Sequence, residues 1–196
     1  MLRKLFFWSR AGALVAGTLA FSGCLKAPEY AVEPVIAFES IRLRTYPGTG
    51  RVDSVRVTVS FKDGDGDLGL GGKLGVFPAD EQKPYAYLNI VNRDTTINPF
   101  NNNYFIEPYV KNRSTGIFEK LPASRATSGG YNGRYPRLTA AETKPAPLKG
   151  TISRNFALLY GLPFVAGEEV RFEVSIVDRA LHVSNTITTT SIVLPR

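Results

Sequence analysis

Three carboxylates at alternate positions, Asp63, Asp65 and Asp67, are separated by Gly64 and Gly66 and followed by Leu68-Gly69. Glycine lets a backbone curl around a point, so this stretch can present hard oxygen ligands at closely spaced positions, the donor set that Ca²⁺ takes. Without a cation, three negative charges in a partly desolvated turn repel one another. The spacing is not that of an EF-hand: with Asp63 first, the sixth position is Leu68 rather than Gly and the twelfth is Leu74 rather than Glu. The competing reading is a solvated turn whose carboxylates cap neighbouring N–H groups, a common use of Asp-Gly pairs. A bound metal is expected to be structural, because a catalytic metal keeps an open position beside acid–base groups and no such groups are evident.

Cys24 is the second chemically distinctive residue and the only cysteine of the 196 residues. A basic head (Arg3, Lys4, Arg10), an apolar run over 11–21 and the small residues Ser22-Gly23 precede it; such a stretch is processed rather than folded. The run has 11 residues, whereas crossing a bilayer takes about 20. Residues 1–24 resemble a bacterial lipoprotein signal, although Phe21 stands where that family usually has Leu. The resemblance implies cleavage before Cys24 and acyl chains on its thiol and new amine, which anchor the chain to a membrane. Plain secretory cleavage is the competing reading. With Cys24 acylated, the folded part keeps no disulfide and no thiol chemistry. Leu25 rather than Asp follows the anchor, so the inner-membrane retention pattern of enteric lipoproteins is missing and the outer membrane is the expected location.

Three of the 24 basic residues and none of the 17 acidic ones lie in the leader, leaving the 173-residue mature chain with 21 against 17 and a net charge of +4. That is an ordinary solvated surface, and no Lys/Arg run of nucleic-acid-binding length occurs. The length supports one domain. We divide the chain into a signal peptide (1–23), a lipid-anchored tether (24–34) and a folded domain (35–196).

The elements that must position the acidic loop read as strands. Residues 55–61 (Val-Arg-Val-Thr-Val-Ser-Phe) alternate apolar with polar, as do residues 170–176, which marks half-buried strands. Runs at 36–44, 85–91, 104–110, 152–159 and 186–194 are rich in β-branched and aromatic residues. No segment carries a helical apolar stripe. About seven strands with turn-rich joints predict an all-β, antiparallel Ig-like β-sandwich. Residues 121–149, with four prolines and three glycines, predict a long loop excursion, which is uncommon unless the loop has a task. Tyr131 and Tyr135 in that loop are the expected exposed aromatic pair for ligand stacking; Tyr85, Tyr87, Tyr104 and Tyr109 read as sheet-face packing.

The segment 178–185 (Asp-Arg-Ala-Leu-His-Val-Ser-Asn) resembles the closing hairpin of bacterial Ig-like and cadherin-like domains, with Leu181-His182 where those have Gly-Asn. Together, residues 61–69 and 177–185 look like a group of Bacteroidota lipoproteins that pair an acidic glycine loop with a late Asp-Arg-Ala stretch. In an Ig-like sandwich the loop after the second strand and the loop before the last share a pole. Asp178 would then join Asp63, Asp65 and Asp67 as a metal ligand; its alternative is a turn cap or ion pair.

Enzyme readings find little support: His182 is the only histidine, and no nucleophile elbow or Cys/His metal spacing occurs. The expected function is a non-catalytic, lipid-anchored binding or accessory module of the cell envelope with structural Ca²⁺ and an outer-membrane protein as partner. The alternatives are a carbohydrate-capturing surface lipoprotein of an uptake system and a small envelope hydrolase.

Because several acyl chains anchor stably where one does not, Cys24→Ala is expected to release the protein from membranes. Intact mass of the membrane-extracted protein checks this; a species retaining residues 1–23, or one without lipid mass, contradicts it.

Overall fold

The computed structural model describes residues 28–46, 52–71, 88–91, 94–125, 130–139, 144–159 and 163–196. The leader, Cys24, Tyr85 and Tyr87 lie outside these residues. The described residues form ten strands: β1 (Val35–Arg44), β2 (Val52–Asp63), β3 (Leu88–Val91), β4 (Asp94–Ile97), β5 (Tyr104–Lys111), β6 (Phe118–Lys120), β7 (Leu148–Leu159), β8 (Glu169–Ile176), β9 (Ile187–Thr188) and β10 (Ile192–Val193). Among the described residues there is no α-helix, only a 3-10 turn at Pro99–Asn101.

Alternation decides which face of each strand turns inward. Along β2, Asp53, Val55, Val57, Val59, Phe61 and Asp63 are all buried, so its inner face is an apolar stripe closed at both ends by a carboxylate. Val170, Phe172, Val174 and Ile176 do the same along β8. The two stripes belong to different antiparallel sheets, ordered β1-β2-β7 and β10-β8-β5-β6 with β9 also on β8, and they meet in one core. An immunoglobulin sandwich places strands A, B and E in one sheet and C, F and G in the other. Here β1, β2 and β7 take the first set of places and β5, β8 and β9/β10 the second. β6 extends the second sheet, and the β3–β4 hairpin is an insertion between B and C.

The expected strand over 186–194 is broken into β9 and β10. Thr189 lies between them: its N–H donates to Phe172 O at 2.9 Å while its Oγ1 accepts from Phe172 N–H at 3.0 Å. A hydroxyl thus replaces a carbonyl in the ladder and bends the chain. β4 and β6 carry too few alternating residues to register as strands in the sequence.

The excursion between β6 and β7 is fastened by side chains rather than by a ladder. Arg154 sits at an inward position of β7 and donates to the carbonyls of Tyr131 and Asn132 at 3.4 and 3.0 Å. Asn132 Oδ1 accepts from Ile106 N–H at 2.9 Å, and Gly133 pairs with Tyr104. Residues 131–135 therefore close the side of the sandwich between β7 and β5.

The register fixes what lies at each pole. Asp63, the last residue of β2, faces Leu148, the first of β7; Ile176, the last of β8, faces Tyr104, the first of β5. The acidic loop, the end of the excursion and the turn after β8 consequently share one pole.

Phe172, fully buried with its ring edge-on to Phe156 at 5.1 Å, is expected to cost about 3–5 kcal/mol on truncation to Ala, whereas exposed Arg56 should cost about 0.5 kcal/mol or less. Urea denaturation of the two variants checks the assignment of inner and outer faces.

Candidate metal centre

Asp63 ends β2 on its inward face, and the chain then turns through Gly64, Asp65 and Gly66 to Asp67. Gly66 adopts φ +71°, in the left-handed region, and a Cβ there would collide with the carbonyl of Ala146. A Cβ on Gly64 would lie 2.6 Å from the carbonyl oxygens of both Tyr30 and Ala31. These two glycines let the tether and the end of the excursion close on the acidic loop from two directions. The excursion is also tied on by Ala146 N–H to Asp65 O (3.1 Å), Leu70 N–H to Tyr135 O (3.1 Å) and Leu138 N–H to Leu68 O (3.2 Å).

Asp178 reaches the same place from the second sheet, two residues beyond β8. Its Oδ1 accepts from His182 N–H at 2.8 Å and its Oδ2 lies 2.8 Å from His182 Nδ1. The turn passes through Leu181 at φ 70°, a left-handed conformation that glycine takes freely and that costs a residue with a Cβ about 1–2 kcal/mol. A tight turn therefore forms here without a glycine at that position, held by the bonds between Asp178 and His182. Arg179 donates to the carbonyls of Leu68 and Gly69 at 3.4 and 3.2 Å, locking this turn to the acidic loop.

One carboxylate oxygen from each of Asp63, Asp65, Asp67 and Asp178 lies within 4.8 Å of one from each of the others. Asp63 and Asp178 are fully buried. Both oxygens of Asp63, Oδ1 of Asp65 and Oδ1 of Asp67 are cut off from solvent without a well-formed hydrogen bond; the Asp67 amide, poorly aligned, is the backbone group that favours the Asp63 carboxylate. Lone pairs in that state cost free energy, and solvated caps, the alternative reading of this loop, would not leave them so. Each pair of charges near 4 Å repels by about 1 kcal/mol in water and about 4 kcal/mol at an effective dielectric of 20. Burial, followed by the charges of Asp65, Asp67 and Asp178, pushes the Asp63 carboxyl up to about 7. Asp67 rises to about 6, through burial and then Asp178 and Asp65, with Arg179 offsetting part of the rise. Asp178 is raised as well, chiefly by burial, against the bonds from His182. The cluster is a set of hard oxygen donors that can hold a metal ion.

The four acidic residues expected to meet are thus brought together. The aromatic pair expected to be exposed is not available for stacking: Tyr135 is buried, edge-on to Tyr104 at 6.3 Å, and Tyr131 is half-buried against Phe156 and Phe164, with centroids at 5.4 and 5.9 Å. Both rings fill the open side of the sandwich, where apolar cover is needed. His182 and Arg179 carry parts that residue type alone does not reveal, because each depends on which carboxylate or carbonyl the fold delivers to it. No protein-family model, curated protein or solved structure matches the chain.

The raised carboxyls set the sign of a pH dependence. The folded state keeps protons on Asp63 and Asp67 that an unfolded chain releases near pH 4, so stability falls as pH rises through that interval. His182, raised by its bond to Asp178, acts in the same direction. In the presence of chelator the cluster is expected to destabilise the fold progressively from about pH 4 to about pH 7, and Asp63→Asn should flatten that slope. Urea denaturation near pH 5 and pH 8 checks it; equal slopes in the two proteins contradict it.

Proposed function

We propose that this chain is a lipid-anchored, non-catalytic binding or accessory module of the bacterial outer membrane, stapled by Ca²⁺ at the pole nearest its anchor. The observation that carries the reading is the convergence of four carboxylates, with buried oxygens that lack well-formed hydrogen bonds, at the pole on which the tether packs. Ca²⁺ accepts six to eight oxygens at about 2.3–2.6 Å in flexible geometry, whereas Mg²⁺ retains several waters and takes one or two carboxylates. A site of four carboxylates on two loops favours the larger ion, and the remaining coordination falls to second carboxylate oxygens, backbone carbonyls or water. His182, bonded to Asp178, would orient that ligand as outer-shell partners do.

The tether supports the membrane-proximal placement. Tyr30 lies only six positions after Cys24, at most about 21 Å of extended chain. Tyr30 itself lies under the ammonium of Lys62, 5.8 Å from the ring centroid. Further along, Asn185 accepts from Ile36 N–H at 2.8 Å and donates to Ile36 O at 2.9 Å, joining the start of β1 to the turn that carries Asp178. A cation that fixes the acidic pole therefore fixes how the domain leaves its anchor.

An ion that binds the folded state alone stabilises it by RT ln(1 + [L]/Kd), about 2.7 kcal/mol at a hundredfold excess over Kd. Melting of the mature protein is expected to shift upward with Ca²⁺ and downward with chelator. Asp65→Asn should abolish the shift with the fold intact, and Asp178→Asn should weaken it. Coincident melting curves in calcium and in chelator would refute the calcium reading.

A further inference from the structure

Tyr135 is buried, and its hydroxyl is cut off from solvent without a well-formed hydrogen bond among the described residues. As cover for the open side of the sandwich a phenylalanine ring would serve, without an oxygen whose burial costs free energy when it has no partner. The hydroxyl needs another reason. Tyr104 has a buried hydroxyl in the same state, but the charge that acts on it is that of Arg154. For Tyr135, burial and then the carboxylates of Asp63, Asp178 and Asp67 push the phenol above its ordinary range. Backbone ties put it beside them. On one side Leu70, three positions after Asp67, donates its N–H to Tyr135 O at 3.1 Å, and Gly69, at φ +92°, has no room for a Cβ against Pro136. On the other side the Asn103 side chain holds both backbone groups of Tyr135, at 2.9 and 3.2 Å, while the Asn103 carbonyl accepts from the N–H of Val177, next to Asp178, at 3.1 Å. Tyr135 thus stands between the loop that supplies three carboxylates and the turn that supplies the fourth.

We infer that Tyr135 belongs to the metal centre as a positioning residue whose hydroxyl donates to the carboxylates when Ca²⁺ holds them together. A phenol has one proton to give and lone pairs to receive. The Gly69 amide, poorly aligned, is the backbone group that addresses the oxygen, so it takes up a lone pair and leaves the proton unassigned. Ionised carboxylates each offer about four lone-pair sites, more than one shared ion uses, and carboxylates that ligate metals are themselves held by hydrogen bonds. The phenol proton supplies such a bond from a group that cannot shift, because its backbone is fixed to both acid-bearing segments. A donor held in place before the ion arrives loses little freedom when it binds. This inference rests on the calcium reading of the four carboxylates and adds a residue that none of the acidic motifs contains.

The test compares the mature lipoprotein in detergent with its Tyr135→Phe and Tyr104→Phe variants, titrated with Ca²⁺ by calorimetry and with Tb³⁺, a luminescent substitute for Ca²⁺ that a neighbouring tyrosine ring sensitises. Trp8, the only tryptophan, lies in the leader, so emission from the mature chain is sensitised by tyrosine. Tyr135→Phe is expected to lower calcium affinity about tenfold to a hundredfold and to lose a large part of the emission at saturating Tb³⁺. Its stability to urea in chelator should equal or exceed the parent's, because the variant removes a buried hydroxyl that lacks a good partner. Tyr104→Phe should leave calcium affinity unchanged. The inference is overturned if Tyr135→Phe binds Ca²⁺ as the parent does, if the two variants lose affinity equally, if emission at saturation is unchanged, or if Tyr135→Phe is as much destabilised in chelator as in calcium, the mark of a packing role. A parent that takes up neither ion overturns the calcium reading and this inference together, whereas a parent that binds Ca²⁺ beside an unaffected Tyr135→Phe overturns this inference alone.

Discussion

Mutual repulsion among four carboxylates at one pole is the constraint around which the rest of this structure is arranged. Asp63, Asp65 and Asp67 arrive on the chain leaving β2 and Asp178 on the chain leaving β8, so the two sheets each drive negative charge into the same small volume. Buried lone pairs without well-formed bonds cannot be stabilised by water, and the turn after β8 supplies the Arg179 guanidinium and the His182 imidazole. In the proposed calcium-bound form the ion offsets the repulsion and gives those lone pairs a partner at once. Loss of the ion would set apart the segments that meet there: the tether over Gly64, the excursion end over Gly66, and the β8 turn.

The long excursion acquires a physical role from this geometry. A loop rich in Pro and Gly cannot form a ladder of its own, so its backbone groups need partners elsewhere. Arg154, Asn103 and Asn132 provide them: Asn103 alone accepts from Tyr135 N–H at 2.9 Å and donates to Tyr135 O at 3.2 Å. Held in this way, the loop lays Tyr131 and Tyr135 over the open side of the sandwich and brings Ala146 onto the acidic loop. Arg154 also turns a charge inward from β7, a long strand with a neighbour on one side only, and inward charges are one means by which exposed edges avoid pairing with other chains.

Two regions of the molecule are thus under different demands. The pole concentrates acidic groups in a buried, strained setting, with Leu181 left-handed and carboxyls raised, and its oxygens can hold a metal ion. The outer face of β5 and β8 spreads its charges along an open surface, with Glu107 opposite Glu173 and each carboxylate held by a neighbour, Lys120 or Tyr109.

Much of this organisation was written in local sequence. Period-two runs dictated β2 and β8 and the inward set Val55, Val57, Val59, Phe61, Phe172, Val174 and Ile176, because alternation is a property of neighbours along one strand, and β-branched and aromatic content marked β1, β5 and β7. The triad Asp63, Asp65 and Asp67 was equally legible, being contained in five residues. Asp178 became a partner only through an assumed sandwich, since it lies 111 positions after Asp67 and register alone brings the loops together. The inward turn of Tyr131 and Tyr135, the break at Thr189 and the rung shared by Glu107 and Glu173 were decided by tertiary structure. Each depends on which residue a distant strand sets opposite, and a composition or a period contains no record of that pairing.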